Sequence, residues 1–164
     1  MRQHNRLYVL VIVKEFTKCM FAHLLSRKNE AICIAGLRDT LRQAAVIHNR
    51  PVMWLRTDLG GEFGGAARLA LQSETGVAGQ HVPAGCHQTN GQMERANESL
   101  MHMIRAMMLA GGIPSSLWGE VALYCVHIHN LSPHRSRKAH PVDGCTVLHL
   151  AYMKDTLCRG YSRW

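Results

Sequence analysis

Leu55-Arg56-Thr57-Asp58-Leu59-Gly60-Gly61-Glu62-Phe63 is the stretch whose reading decides the fold. Four apolar residues, Val52 to Leu55 (VMWL), read as a short strand that delivers Arg56, Thr57 and Asp58 at its carboxyl end. Gly60-Gly61 interrupts the pattern before a helical stretch, Ala66 to Ser73, which Gly76 is suited to end. In α/β sheets ligands bind past the carboxyl ends of strands, where side chains project beyond the sheet edge. Asp58 holds such a position, although position alone favours an Asp in a turn or a helix cap.

Working outward, Leu7 to Val13 (LYVLVIV) has the length and Val/Ile content of a buried strand. Phe16 to Leu25 reads as a second strand, and the polar Lys14-Glu15 step between them suits a hairpin. From Asn29 the period changes: Ile34, Leu37, Leu41, Ala44 and Ile47 recur every three or four residues, one apolar face of a helix. Asn29 is its expected N-cap, and Asn49-Arg50-Pro51 ends it, because a residue before proline resists the α conformation. Beyond Gly76, a short strand is expected near Gln80 to Pro83, and Ala84 to Gly91 reads as turn chemistry with Asn90-Gly91 as a tight turn. A long helix follows from about Gln92 to Leu109, stopped by Gly111-Gly112, then a last helix from Leu117 to His129. The order β-β-α-β-α-β-α-α describes a mixed α/β layered domain.

Composition narrows the function classes. A chain of 164 residues is one domain long, and 47% hydrophobic with 18% charged residues is a globular balance. The longest strongly apolar run has seven residues, Leu7 to Val13, against about 20 for a membrane-spanning helix, so no membrane partner is expected. Nineteen Lys plus Arg against eleven Asp plus Glu leave a net charge of +8, which points to a polyanion, nucleic acid first. The six cysteines form no C-x-x-C pair, so neither a zinc clip nor a disulfide framework is expected, in keeping with a reducing compartment, nuclear or cytoplasmic. On the last helix only Cys125 and His129, four apart, could pair, and full zinc spacing is lacking.

Several blocks together resemble the integrases of Ty1/copia-type retrotransposons. Residues 55–63 resemble the family's "LRSDNGGEF", and Gln88-Thr89-Asn90-Gly91-Gln92-Met93-Glu94-Arg95 resembles "PQQNGVAER". Thirty-five residues separate Asp58 from Glu94, the D-x35-E spacing of retroviral-type integrase cores. Ile104 to Leu109 looks like "ARAML", Ile113 to Glu120 like "LPXXLWGEA", and Ile128 to Pro133 like "YIXNRXP". Tyr8 to Lys28 is similar to the family's "YFLTIVDDFTRYTWVYLLKSK" hairpin, so the resemblance runs from about Tyr8 to Pro141.

This resemblance implies an RNase H-like mixed sheet flanked by helices, and metal-dependent polynucleotidyl transfer in DNA integration. Two Mg²⁺ or Mn²⁺ ions held by carboxylates activate the attacking oxygen and stabilise the leaving one. Asp58 and Glu94 match the second and third acids of the family's triad, as catalytic residues and metal ligands. The resemblance also places Gln88 and Asn90 beside DNA. Arg56 and Arg95 flank the acids and either bind phosphate or neutralise their neighbours. Arg105, with Glu98, lines the DNA side of the long helix or a solvated face. Trp118 is expected in the core.

Two departures shape the expected function. The triad's first Asp lies in the family on a strand ahead of the "YFLTIVDDF" segment, the first and central strand of the sheet. Only Met1 to Leu7 precede Tyr8 here, without a carboxylate, and the family's "DD" pair is Lys14-Glu15. The expectation is therefore an incomplete core over residues 1–142, lacking its first strand and weak or dead in catalysis. Residues 143–164 form a tail that matches the family only loosely. Partners implied are DNA and further copies of the chain, with no small-molecule substrate. Rival readings are a non-catalytic nucleic-acid-binding or assembly module, another RNase H-like nuclease acting on RNA–DNA hybrids, and a remnant without function.

Overall fold

A computed structural model describes residues 8–27, 29–48, 51–57, 65–81, 87–132 and 147–154. The apolar run at the start forms β1 (Tyr8–Lys14), and a turn over residues 15–19 returns it as β2 (Met20–Leu25). The hairpin is antiparallel, with Tyr8 opposite Leu25 and Val13 opposite Met20. Helix α1 (Glu30–His48) begins where expected, because the Asn29 side-chain oxygen accepts the Ile32 N–H at 3.0 Å. Then come β3 (Trp54–Thr57), α2 (Ala66–Thr75), β4 (Ala78–His81), α3 (His87–Gly111), a single 3₁₀ turn (Ser115–Leu117), α4 (Trp118–Leu131) and β5 (Val147–Lys154). Gly76 and Gly112, with φ of 71° and 57°, end α2 and α3 in the left-handed conformation that a Cβ disfavours.

The five strands make one sheet in the order β2-β1-β5-β3-β4. Strand β5 runs antiparallel to β1 and parallel to β3, which is itself parallel to β4. Alternation along β1 divides the core in two. Leu10 and Ile12 face α1 and α2 together with Leu37, Leu55, Leu71 and Leu148. Val9, Val11 and Val13 face α3 and α4 with Met93, Leu100, Ile104 and Trp118. Each fully buried Leu or Ile contributes about 1.5–3 kcal/mol, so a strand apolar on both faces belongs between two helical layers. Trp118 is a core residue, as expected.

Four expectations need correction. Strands β3 and β4 each lie two residues from the expected spans, because pairing with β5 and with each other, not apolar content, sets their bounds. Residues 87–91 are not a turn; they are the first turns of α3, where fully buried Met93 anchors the helix to the core and carries Asn90 and Gly91 into it. The centre of the sheet is not vacant. The position that the resemblance gives to a strand ahead of Tyr8 is held by β5, a segment with no expected structure. Residues 147–154, assigned above to a tail, thus join the two halves of the sheet and add Leu148 to the α1-side core.

Candidate nucleic-acid interface

Leu55 points into the core beneath α1 and α2, so Arg56, the next residue of β3, emerges on the α3 side. Its guanidinium is held from two directions. The Nε and Nη2 atoms donate to Gln80 Oε1 on β4 at 3.0 and 2.8 Å, and Nη1 lies 3.7 Å from Glu15 Oε1. Glu15 starts the turn between β1 and β2, and Lys18 in the same turn donates through Nζ to the Glu15 carbonyl at 2.6 Å. Lys18 sits at φ 58°, a left-handed conformation held by its N–H bonding to the Lys14 carbonyl at 2.9 Å. Its ammonium pKa is lowered, first by burial and then by the positive charge of Arg95 on α3, while Glu15 opposes the shift. The end of β3, the β1–β2 turn and the early part of α3 therefore form one charged cluster.

Helix α4 pins that turn. Asn130 accepts the Met20 N–H at 2.9 Å and donates to the Met20 carbonyl at 2.7 Å, giving the outer edge of β2 the two bonds of a missing neighbour. The His129 ring lies 3.0 Å from the Lys18 carbonyl. Neither His129 nor Cys125 is arranged as a metal ligand. Cys125 is buried beside the Met107 sulfur at 4.0 Å, and burial raises its thiol pKa.

Of the residues singled out from sequence, Arg56 and Arg95 border this cluster. Arg95 is exposed, and its guanidinium folds back over Gly91, where an added Cβ would lie 3.4 Å from Nη1. Glu94 is exposed on α3. Gln88 and Asn90 fall in the first turn of α3, with side chains outside the described residues. Arg105 lies on Glu94's side of the helix but about 16.5 Å further along at 1.5 Å per residue, so it does not join the cluster. Glu98 lies 3.9 Å from His102 on the solvent side. Asp58 and Glu62 lie outside the described residues; Asp58 follows Thr57, the last residue of β3, in the chain. Sequence reading missed Glu15, Lys18 and Gln80, since only the hairpin and the β3–β4 pairing bring them to Arg56.

The fold and its pieces match known proteins. The chain superposes on the magnesium complex of the HTLV-2 integrase catalytic core domain, a trimeric form, with a TM-score of 0.60 over 80% of this chain and 81% of that one, at 16% identity. The fold is that of a retroviral-type integrase core. In sequence the chain is 24% identical over 126 residues to the retrovirus-related Pol polyprotein of transposon TNT 1-94 from Nicotiana tabacum. Those residues are 77% of this chain and 9% of that polyprotein, so the chain spans a small part of its relative. No family model matches the chain. Among the described residues no helix is long and apolar enough to cross a membrane.

A two-ion site for Mg²⁺ or Mn²⁺ needs several carboxylate oxygens converging from different elements. Among the described residues no three His, Cys, Asp or Glu side chains gather to hold a metal. The central strand β5, VLHLAYMK, contains no carboxylate, and Glu15 is engaged by Arg56. The described residues do not fit the paired-metal site.

Proposed function

We propose that this chain is a DNA-binding integrase core from a retrotransposon in which DNA strand transfer is lost or severely weakened. The observation that carries this reading is the junction of β3, the β1–β2 turn and α3, where Arg56 lies against the Glu15 carboxylate, Lys18 bonds the Glu15 main-chain carbonyl, and the charge of Arg95 reaches Lys18. Net positive charge at the carboxyl end of a sheet strand suits a phosphate backbone. Asp58 and Glu94 are the acids we assign to Mg²⁺ or Mn²⁺ ligation, two carboxylates where the chemistry wants at least one more. Gln88, Asn90 and Arg105 are proposed as further DNA contacts, and a nuclear or cytoplasmic location accompanies the reading.

Duplex DNA binding measured against salt tests the binding half. Affinity should fall by about 0.9 log units per log unit of salt for each phosphate neutralised, and Arg95→Ala should lessen that slope by about one contact. Salt-insensitive binding would contradict backbone recognition. A strand-transfer assay in Mn²⁺ tests the catalytic half: robust product that Asp58→Asn abolishes refutes the impairment.

An assembly role is favoured by a separate observation. Leu123, Tyr124 and Leu131 on α4, with Leu117 just before it, are 37%, 54%, 71% and 45% exposed. Tyr124 and Leu131, seven apart, share one stripe of α4 with Leu123 beside it, which suits contact with another copy. Sedimentation of the wild type and of Tyr124→Lys/Leu131→Lys tests it, with a concentration-dependent oligomer expected only for the wild type.

A further inference from the structure

Arg68 is a buried cation without a counter-ion among the described residues. Arg38 and Arg56 each meet a carboxylate, Glu74 at 2.9 Å and Glu15 at 3.7 Å. Arg68, on the first turn of α2, is 8% exposed, and its one bond among the described residues runs from Nη1 to Gln72 Oε1 at 3.2 Å. A guanidinium only donates, so the Gln72 oxygen must face it and the Gln72 amide nitrogen must turn the other way. That nitrogen, Nε2, and Arg68 Nε are both sealed from solvent with no hydrogen-bond partner among the described residues. Buried polar groups in native proteins are nearly all bonded and buried cations are normally paired, so two orphaned donors beside this guanidinium mark a place shaped for an acceptor. Position adds to the demand. Arg68 stands at the positive end of the α2 dipole, and the first turn of α2 holds no acidic residue. Glu30 reaches this end from α1, but its carboxylate accepts the Ala67 N–H at 3.2 Å.

Gly79 brings these donors to the edge of the sheet. It is the Cα partner of Leu55, which belongs to the core beneath α1 and α2, so it shares that face, opposite to Arg56. A Cβ at Gly79 would run into Gln72 Nε2 and lie 2.9 Å from Arg68 Nη1, so both side chains lie directly over the bare backbone. Gly79 is exposed, and β4 is the last strand of the sheet. We infer that Arg68, Gln72 and Gly79 form a site for a phosphate-class oxyanion, separate from the cluster at Arg56. A phosphate group presents several acceptor oxygens and a negative charge, which answers both orphaned donors and the guanidinium together. It enters from the β4 edge as the half-buried Gln72 side chain changes rotamer. The group recognised is the same whether it is carried on a nucleic-acid backbone or free in solution.

Calorimetric titration of the full chain with inorganic phosphate, at an ionic strength held constant with chloride, tests the site. The wild type should bind saturably, and Arg68→Met, which keeps an unbranched apolar stem, should bind at least about tenfold more weakly. Gly79→Ala should also weaken binding, because its Cβ displaces both donors. Phosphate stabilises folded proteins in general, so a gain in melting temperature counts only as the difference between the wild type and Arg68→Met. A wild type without saturable phosphate binding, or equal binding by the wild type and Arg68→Met, overturns the proposal. Should Arg68→Met fail to fold, Arg68→Lys takes its place, since it keeps the charge and loses the Nε donor; wild-type affinity in that variant equally overturns the site. Duplex DNA titrations of the same proteins separate the two sources, and both results uphold the site. A salt slope lessened by about one contact in Arg68→Met assigns a backbone phosphate, whereas an unchanged slope, or no duplex binding at all, assigns a free phosphate.

Discussion

Replacing Asn130 by alanine tests whether a helix side chain, rather than another strand, secures the outer edge of the sheet. In the native structure this one amide satisfies both main-chain groups of Met20, at 2.9 and 2.7 Å, where β2 begins. Met20 is itself buried at 3% exposure, so water does not readily replace the lost partner. Each such bond contributes about 0.5–1.5 kcal/mol net, and an orphaned buried group costs about 1–3 kcal/mol, so Asn130→Ala should destabilise the chain by roughly 2 kcal/mol. For a domain of this size that is a fall in melting temperature of about 4–8 °C. Urea unfolding is the assay, with the midpoint lowered and the slope unchanged, because the exposed surface of the unfolded chain is the same. Asn130→Asp discriminates further. It keeps the acceptor for the Met20 N–H but sets a carboxylate against the Met20 carbonyl, and should be no better than alanine. A loss below about 0.5 kcal/mol for Asn130→Ala, the range of an ordinary surface substitution, would refute the edge-pinning argument.

Three further outcomes follow from the same geometry. The His23 pKa is lowered, first by burial, with Asp39 at 3.9 Å opposing the shift, while Nε2 bonds Thr40 Oγ1 at 2.6 Å. The unfolded chain therefore binds more protons between the lowered native pKa and about 6.5, so stability should fall as pH drops through that window, and His23→Gln should flatten the urea-midpoint profile there. A Cβ at Gly65 would run into the Glu30 carboxylate, which caps α2 by accepting the Ala67 N–H at 3.2 Å. Gly65→Ala should cost about 1–3 kcal/mol in urea unfolding, and part of that loss should vanish on a Glu30→Ala background, because the two residues share one space. Lys18→Gly relieves a left-handed backbone and removes a charge, so thermal stability should hold or rise while the salt dependence of DNA binding weakens; a fall in both would contradict the turn geometry.

What the chain reveals before folding is local. Helix α1 announces itself by its apolar period and by Asn29, whose cap depends on a residue three positions away. The ends at Gly76 and Gly112 are equally local, since a left-handed residue needs only the absence of a Cβ. The order of the first eight strands and helices and the choice of Arg56, Glu94 and Arg95 also rest on short blocks. Asn90-Gly91 shows the limit of such signals: a tight-turn dipeptide lies in α3 because Met93 is buried a few residues on.

Tertiary structure alone decided the rest, for the reason that strand pairing carries no fixed separation along the chain. Glu15 meets Arg56, and Asn130 meets Met20, across 41 and 110 positions that no periodicity links. Strand β5 is the clearest case. Eight residues near the C-terminal end read as a loosely matched tail, yet hydrogen bonding on both sides makes them the centre of the sheet. Backbone bonds are blind to which end of the chain supplies a strand, so the sheet could be completed by a segment that brings no carboxylate with it.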